Sequence, residues 1–453
     1  LSNIQVEQFY LGCLAHASYL IGSEGVAAVI DPQRDVDIYI DAAARAGLKI
    51  EHVIETHLHA DFVSGHRELA ARTGARIYLG AASGATFPHK AVRDGDSIQF
   101  GRCLLQFRQT PGHTIESVCI VMTDVDEPAQ PKSVFTGDTL FVGDVGRPDL
   151  SGNHTPQELA ALLFKSLHEK LLTLPDEVEI FPAHGAGSLC GRQMGSERSS
   201  TIGKERRFNY ALQAKTSDEF VHLLTDSLPP RPEYFGREVE LNRQGAASLD
   251  ELPLLASLPA PEVLRLQSEG AVVLDTRPVM EFAVAHVPGS IHIALSGQFA
   301  SWAARILGLD TRIILAGEDP DHIRESQLRL ARVGIENVLG YLEDGVTGWI
   351  KGGYELDYIP QVSVPELAEL DFGVLDVREP GEVETGAIEN SARIPLGQLT
   401  ARMGELDRNK LLVVHCKGGY RSSIATSLLR RHGFRDIANL TGGFDAWKSA
   451  ARA

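Results

Sequence analysis

The chain has 453 residues, 43 of them Lys or Arg and 60 Asp or Glu, for a formal net charge of −17. At roughly 150 residues per domain this length predicts about three domains, and 43% hydrophobic with 23% charged residues supports packed cores and excludes global disorder. An acidic surplus repels phosphate backbones and anionic lipid, and no apolar run approaches the roughly 20 residues that span a bilayer, so neither nucleic acid nor membrane is an expected partner.

The opening LSNIQVEQFYLGCLAHASYLIG lacks the basic region of a signal peptide and reads as strands. Five scattered cysteines (Cys13, Cys103, Cys119, Cys190, Cys416) do not form a disulfide framework and point to a reducing compartment, the cytoplasm. Cys13, Cys103 and Cys119 lie in apolar runs and are expected in the core. Through about residue 245, runs such as VAAVID (26–31), HVIETH (52–57), CLLQFRQ and VFTGD end in polar loops and predict buried strands. Helical spacing of Leu159, Leu162, Leu163, Leu167 and Leu171 predicts a helix over 156–174. Proline-rich SLPPRP (227–232) and LPLLASLPAPE (252–262) mark a domain boundary near 245–260.

The remainder is an internal repeat. AVVLDTRPVMEF (271–282) aligns with FGVLDVREPGEV (372–383), and GIENVLGYLEDGVTGW (334–349) with GFRDIANLTGGFDAW (433–447). Strand, helix and strand recur in each copy, so two small α/β domains with parallel sheets are expected. The expected domains are 1–245, 253–352 and 361–453.

In the first domain, THLHAD (56–61) sets His57, His59 and Asp61 on alternate residues after an apolar strand, facing one side of an extended segment. Further polar strand ends are His113 in TPGHT, Asp138 in FTGDTL and His184 in FPAHG. One such histidine alone reads as a strand cap, whereas imidazoles and carboxylates gathered at strand ends are ligands of divalent metals. The set resembles the metallo-β-lactamase superfamily, whose signature is HxHxDH followed by separate His, Asp and His elements. That resemblance implies an αββα sandwich with a metal at one edge. Phe62 stands where the signature ends in His, and phenylalanine has no lone pair, so a second metal would lose a ligand.

Within the superfamily, DGDSIQFG (94–101), TPGHT (110–114), FTGDTLF (135–141), GRPD (146–149) and FPAHG (181–185) resemble the persulfide dioxygenases. Carried over residue by residue, the resemblance implies one iron held by His57, His113 and Asp138. A two-histidine, one-carboxylate set with open positions suits Fe(II) and O2, with zinc the alternative occupant as purified. His59, Asp61 and His184 would orient ligands or bound water. Arg147 would fix the site or an anionic substrate tail, or else form a structural ion pair. Cys190, in the Gly- and Ser-rich GAGSLCGRQMGSERSS, reads either as an exposed loop thiol or as a sulfur relay near the iron.

At the other end, LLVVHCKGGYRSS (411–423) reads as a buried strand, a glycine loop and a helix start. Cys416 there faces a helix N-terminus, and the backbone of Lys417, Gly418, Gly419 and Tyr420 can converge on its sulfur, with Arg421 adding positive charge. These effects favour thiolate and would stabilise a persulfide anion. With DVREPGEV and TGGFDAW, the string resembles the rhodanese active-site loop. Tyrosine phosphatases place five residues between their Cys and Arg; Cys416 and Arg421 have four between them, a tighter ring better suited to one sulfur. No cysteine lies between Cys190 and Cys416, and after RIILA the middle copy reads GEDPDHIRES. The middle domain is therefore expected to be a silent rhodanese-like domain with a packing or oligomerisation role.

The expected molecule is a fusion of an iron persulfide dioxygenase with a silent and an active rhodanese. Its expected partners are a low-molecular-weight thiol persulfide (glutathione or similar), O2, sulfite and thiosulfate, with homo-oligomerisation to a dimer or tetramer a general expectation. The rival readings are a zinc-dependent thiolester hydrolase of the glyoxalase II kind and a persulfide-sensing protein with vestigial sites.

Overall fold

The computed structural model describes residues 4–226, 228–367 and 372–450. The first three residues of the opening strand-like run and Ser227 of SLPPRP lie outside the described residues. The chain forms two compact units, Leu1–Leu252 with Ala331–Gly334, and Pro253–Leu330 with Ile335–Ala453. The four-residue stretch 331–334 thus groups with the first unit although its sequence belongs to the middle repeat.

The first unit holds two six-stranded sheets. One runs in the order β1 (Gln5–Leu11), β2 (His16–Ser23), β3 (Val26–Ile30), β4 (Lys49–Ile54), β5 (Arg76–Gly80), β6 (Lys90–Val92). The other contains β7 (Ser97–Phe100), β8 (Cys103–Gln109), β9 (Val118–Asp124), β10 (Pro131–Gly137), β11 (Glu179–Pro182) and β12 (Ser200–Thr201), ordered β12-β11-β10-β9-β8-β7. Alternation along each strand builds the layers. Tyr19, Ile21, Ala28 and Ile30 of one sheet meet Leu105, Phe107, Ile120 and Phe135 of the other in a shared core. The intervening Leu20, Ala27 and Val29 face outward onto helices Asp37–Arg45 and His66–Thr73. Cys119, Val121 and Val134 face outward onto the helix Pro156–Ser166 and the helix Ser217–Thr225. Helices therefore cover both outer faces of a sheet pair, an α/β/β/α stack.

The helix expected over 156–174 starts on a capping box between Thr155 and Glu158, with Pro156 in its first turn, and continues as a π turn over Leu167–Leu171. Leu159, Leu163, Leu167 and Leu171 are its buried stripe. Cys103 and Cys119 are core residues, but Cys13 sits half-buried in the turn between β1 and β2. That turn breaks the apolar run, which is why the run alone misplaced this cysteine.

The second unit contains two five-stranded parallel sheets of identical topology. The first comprises β13 (Ser257–Leu258), β14 (Val272–Asp275), β15 (Ile291–His292), β16 (Ile313–Ala316) and β17 (Val338–Leu342), ordered β13-β17-β16-β14-β15. The second comprises β18 (Gln361–Val362), β19 (Gly373–Asp376), β20 (Ala392–Arg393), β21 (Leu412–His415) and β22 (Ile437–Leu440), ordered β18-β22-β21-β19-β20. Asp275 pairs in register with Ala316, and Asp376 with His415, which places Gly317 where the second sheet has Cys416. Asp275 and Asp376 each hold a neighbouring arginine, Arg277 or Arg378, through paired hydrogen bonds, so the repeated Asp-x-Arg element is a buried clamp common to both copies.

Candidate active sites

The C-terminal ends of β4, β8, β10 and β11 deliver the polar loops of the first unit to one edge of the sandwich. Gly137 there has φ +52°, and a side chain on it would run into Thr56. His57, His113 and Asp138 present ligand atoms within 4.8 Å of one another, all buried. Nε2 of His113 is 3.3 Å and Nε2 of His57 3.8 Å from the same Asp138 oxygen.

Hydrogen bonds fix which nitrogen faces the site. Thr56 donates its hydroxyl to Asp31 (2.8 Å), so its oxygen accepts from Nδ1 of His57 (2.9 Å). His113 donates Nδ1–H to the Arg147 carbonyl (3.0 Å). Both rings are therefore left with an Nε2 lone pair aimed at Asp138, and neither Nε2 has a hydrogen-bond partner. Burial holds His57 well below the usual histidine range and lowers His113, so both stay neutral, as metal ligands must be. Burial alone would raise Asp138, but His184, charged and hydrogen-bonded to it, holds it well below the usual carboxylate range. Two bare imidazole nitrogens facing an ionised carboxylate in a dry site fit a divalent metal.

His184 donates Nδ1–H to Asp138 (2.8 Å), and its Nε2 lies 3.0 Å from Asp61. His59, Asp61 and His184 form a second cluster of metal-ligand type beside the first. His59 also lies 3.2 Å from Asp31 and 3.5 Å from Glu55. The Phe62 ring sits 4.4 Å from that of His59 and 4.1 Å from that of His16, an apolar plug where the superfamily signature has an imidazole. His16, at the start of β2, is fully buried, bridges to the His184 backbone and has no hydrogen-bond partner on either ring nitrogen.

The structure favours the ion-pair alternative for Arg147 and changes the expected exposure of Cys190. The Arg147 guanidinium is bidentate on Asp149 (2.6 and 2.8 Å) and bonds the carbonyls of Leu189 and Pro229, so it is committed to protein acceptors rather than to a substrate tail. Its part in the site is played by its backbone, which holds His113. Neighbouring Gly146 lets that segment approach, since a side chain there would collide with the Asp138 carbonyl and the His113 ring. Cys190 is only 1% exposed, its Gly- and Ser-rich loop notwithstanding, and its thiol clusters with Asp138 and His184. Burial first, then Asp61 and Asp138, push this thiol well above its usual range, keeping it protonated.

Sequence reading missed the groups that steady the ligands. Asn242, on the helix Phe235–Gln244, bonds the carbonyls of His59 and Phe62 and the amide of Ser64, clamping the HxHxD segment. Glu116 accepts the Leu58 amide (3.0 Å). Thr56 was visible beside the motif; Asp31 and Asn242, remote in sequence, carried no signal.

In the second unit, Cys416 directly follows β21 and opens the loop that leads into the helix Tyr420–Arg431. Gly419 donates its amide to the sulfur (3.1 Å), and Ser422 approaches it at 3.5 Å. Arg421 lines the same groove but is bidentate with Glu382 (2.6 and 2.7 Å), so its charge reaches the sulfur partly neutralised. The GGF turn of TGGFDAW supports the loop from below. Phe444 and Asp445 donate their amides to the carbonyls of Cys416 and Lys417, and Gly443 leaves no room there for a side chain.

The metallo-beta-lactamase superfamily profile matches residues 11–184, and the rhodanese-like domain profile matches 259–351 and 365–450. The mitochondrial persulfide dioxygenase ETHE1 of Bos taurus is 33% identical over 233 residues, 50% of this chain and 82% of that protein. A hydroxyacylglutathione hydrolase of Rhodopseudomonas palustris (strain BisB18) is 32% identical over 233 residues, 51% of this chain and 80% of that protein. A crystal structure of a metallo-beta-lactamase from Staphylococcus aureus subsp. aureus COL aligns with TM-score 0.68 at 32% identity, covering 76% of this chain and 99% of that one.

Proposed function

The chain belongs to the metallo-β-lactamase superfamily through its N-terminal half and carries two rhodanese-like domains behind it, and from that premise we propose a three-domain persulfide dioxygenase–rhodanese enzyme. Its domains are 1–245, a silent copy at 253–352 and an active copy at 361–453. The observation that carries the reading is the pair of bare Nε2 atoms of His57 and His113 facing Asp138, with Phe62 packed on His59 where a second-metal ligand would stand.

His57, His113 and Asp138 would hold one Fe(II), which when bound would supply the redox chemistry for oxidation by O2 of a low-molecular-weight thiol persulfide, glutathione persulfide or a relative. The chain's own residues do the rest. Thr56 and the Arg147 carbonyl keep both imidazoles in the ligating tautomer. His184 steadies the Asp138 carboxylate, and the buried, apolar setting around Phe62 keeps bulk water from competing. Cys190 is positioned to receive or relay sulfur only when its proton is removed, because burial keeps it a thiol.

Hydrolysis releases sulfite and the parent thiol. Cys416, carrying a persulfide, passes its outer sulfur to sulfite: the Cys416 S–S bond breaks, a new S–S bond forms in thiosulfate, and the electron pair returns to Cys416 as thiolate. The Gly419 amide, with the Ser422 hydroxyl nearby, holds the anionic sulfur. Among the described residues no helix is long and apolar enough to cross a membrane, and all five cysteines are free thiols.

Oxygen consumption by the iron-loaded protein with a panel of thiol persulfides tests the reading; no persulfide-dependent uptake would overturn it. A second reading, a zinc-dependent thiolester hydrolase, is favoured by the hydrolase relative and by the His59–Asp61–His184 cluster. Thiolester hydrolysis by zinc-loaded protein, without persulfide-dependent oxygen uptake in the iron form, would establish it instead.

A further inference from the structure

The groove beside Cys416 is larger than the loop chemistry requires, and one wall comes from the silent repeat. It encloses about 470 Å3 between the 416–421 loop and Gly297, Gln298 and Trp302. That volume lies in the roughly 300–1,000 Å3 range of pockets that enclose organic ligands, well beyond what a single sulfur oxoanion fills. Trp302 stands on the helix Phe299–Leu307 and is held by its surroundings: it is 5% exposed, and the Arg305 guanidinium stacks 4.4 Å from its ring centroid. Arg305 in turn lies 3.8 Å from Glu379 of the active repeat.

Cross-repeat hydrogen bonds fix this wall against the catalytic loop. Tyr420 donates its hydroxyl to the Ala294 carbonyl (2.9 Å). Ser423 donates to Nδ1 of His292 (2.8 Å), and the His292 amide donates to Ser427 (3.0 Å). Gly297 brings its backbone against the Tyr420 ring. A domain kept for packing alone would not need to spend an indole on the rim of its neighbour's reactive thiol.

Building on the sulfurtransferase reading of Cys416, we propose that Trp302 is a specificity-determining residue of the active rhodanese copy. It forms a subsite for the organic moiety of a low-molecular-weight persulfide, R–S–SH, while the sulfane sulfur reaches Cys416. The Cys416 thiolate attacks the outer sulfur, and a new S–S bond forms on Cys416 as the S–S bond of the carrier breaks. The electron pair leaves on the carrier sulfur as the thiolate R–S⁻, and the persulfide proton passes to solvent. No external oxidant or reductant enters. The silent repeat thereby supplies the recognition that the active loop, built for one sulfur, lacks.

The test compares two sulfur donors in the full-length protein under anaerobic conditions, which keeps the N-terminal site from consuming the persulfide. Glutathione persulfide carries an organic moiety and inorganic thiosulfate does not; cyanide serves as acceptor for both. Trp302→Ala should lower kcat/KM for glutathione persulfide about tenfold or more, chiefly through KM, and leave thiosulfate within about twofold. Trp302→Phe should restore most of the loss. An equal loss with both donors would reduce Trp302 to a structural wall, and no loss with either would place the carrier elsewhere; each overturns the proposal. If wild-type Cys416 gains no sulfur atom by mass from either donor, the sulfurtransferase reading itself falls, and the proposal with it.

Discussion

The two reactive centres are built on opposite plans. The N-terminal site is assembled from loops after four strands in two sheets, and none of His57, His113 and Asp138 is adjacent to another in sequence. The candidate C-terminal site is one contiguous loop whose cysteine, Gly419 amide donor and arginine all lie within residues 416–421. Yet both depend on remote partners for their final form. The candidate metal ligands His57 and His113 are oriented by Asp31, Thr56 and the Arg147 carbonyl. The loop is shaped by the GGF turn and, across the repeat boundary, by Ala294 and His292. Contiguity decides where the chemistry is; long-range hydrogen bonds decide how well it is held.

Independence of the two plans can be broken cleanly. Asp138→Ala should abolish iron binding and persulfide-dependent oxygen uptake while leaving sulfur transfer from thiosulfate to cyanide intact. Metal content and the two assays on one preparation check it. Cys416→Ser should do the reverse: thiosulfate formation disappears and sulfite accumulates in its place. Thiosulfate production by Cys416→Ser would mean that the loop is not the transfer site. Loss of both activities in either variant would show that the centres are not separable.

A smaller change sharpens the contrast within the N-terminal site. Thr56→Val keeps the shape of the side chain but removes the oxygen that accepts from Nδ1 of His57 and donates to Asp31. Partners of this kind are worth about 10–100-fold in metal affinity, so the variant should bind Co(II) or Fe(II) that much more weakly while sulfur transfer at Cys416 is unchanged. Wild-type affinity in Thr56→Val would mean that the tautomer of His57 is set by the metal alone.

Legibility in the sequence followed the same division. The contiguous loop, the HxHxD string and the internal repeat could all be read, because each condenses its geometry into neighbouring residues. The layered sheet pair was legible only through resemblance, since alternation in runs such as 26–31 reports burial without saying which sheet lies opposite. Asn242 and Asp31 were invisible, their function lying wholly in contacts remote along the chain. Cys190 was misjudged as exposed because a glycine- and serine-rich composition reports backbone freedom and not depth. Arg147 was left between a role at the site and a structural ion pair because its motif showed the guanidinium but hid the acceptors at Leu189 and Pro229, and the pair with Asp149 is what forms. Trp302 could not be assigned at all, since nothing in one repeat says that it borders the reactive thiol of the other.

The least of the expected effects bears on how the middle repeat supports the C-terminal one. His292 is fully buried, donates Nε2–H to the Arg277 carbonyl and accepts from Ser423 of the active helix, which requires a neutral ring. Burial is the largest influence and lowers its pKa to about 4, against about 6.5 in an unfolded chain. Between these values the unfolded state binds a proton that the folded state refuses, so stability falls as pH drops below about 6.5 and the loss levels off below about 4. By pH 5 the deficit relative to pH 7 from this one group is about 2 kcal/mol. In His292→Gln the Nε2 donor is retained and the titrating ring is gone. The variant should therefore be somewhat less stable than wild type at pH 7 and lose about 2 kcal/mol less between pH 7 and pH 5, as read from urea midpoints. Other buried histidines titrate equally in both proteins and cancel in the difference. Parallel pH dependence in the two would show that His292 is not held neutral by burial, and that the contact between the repeats does not depend on its charge.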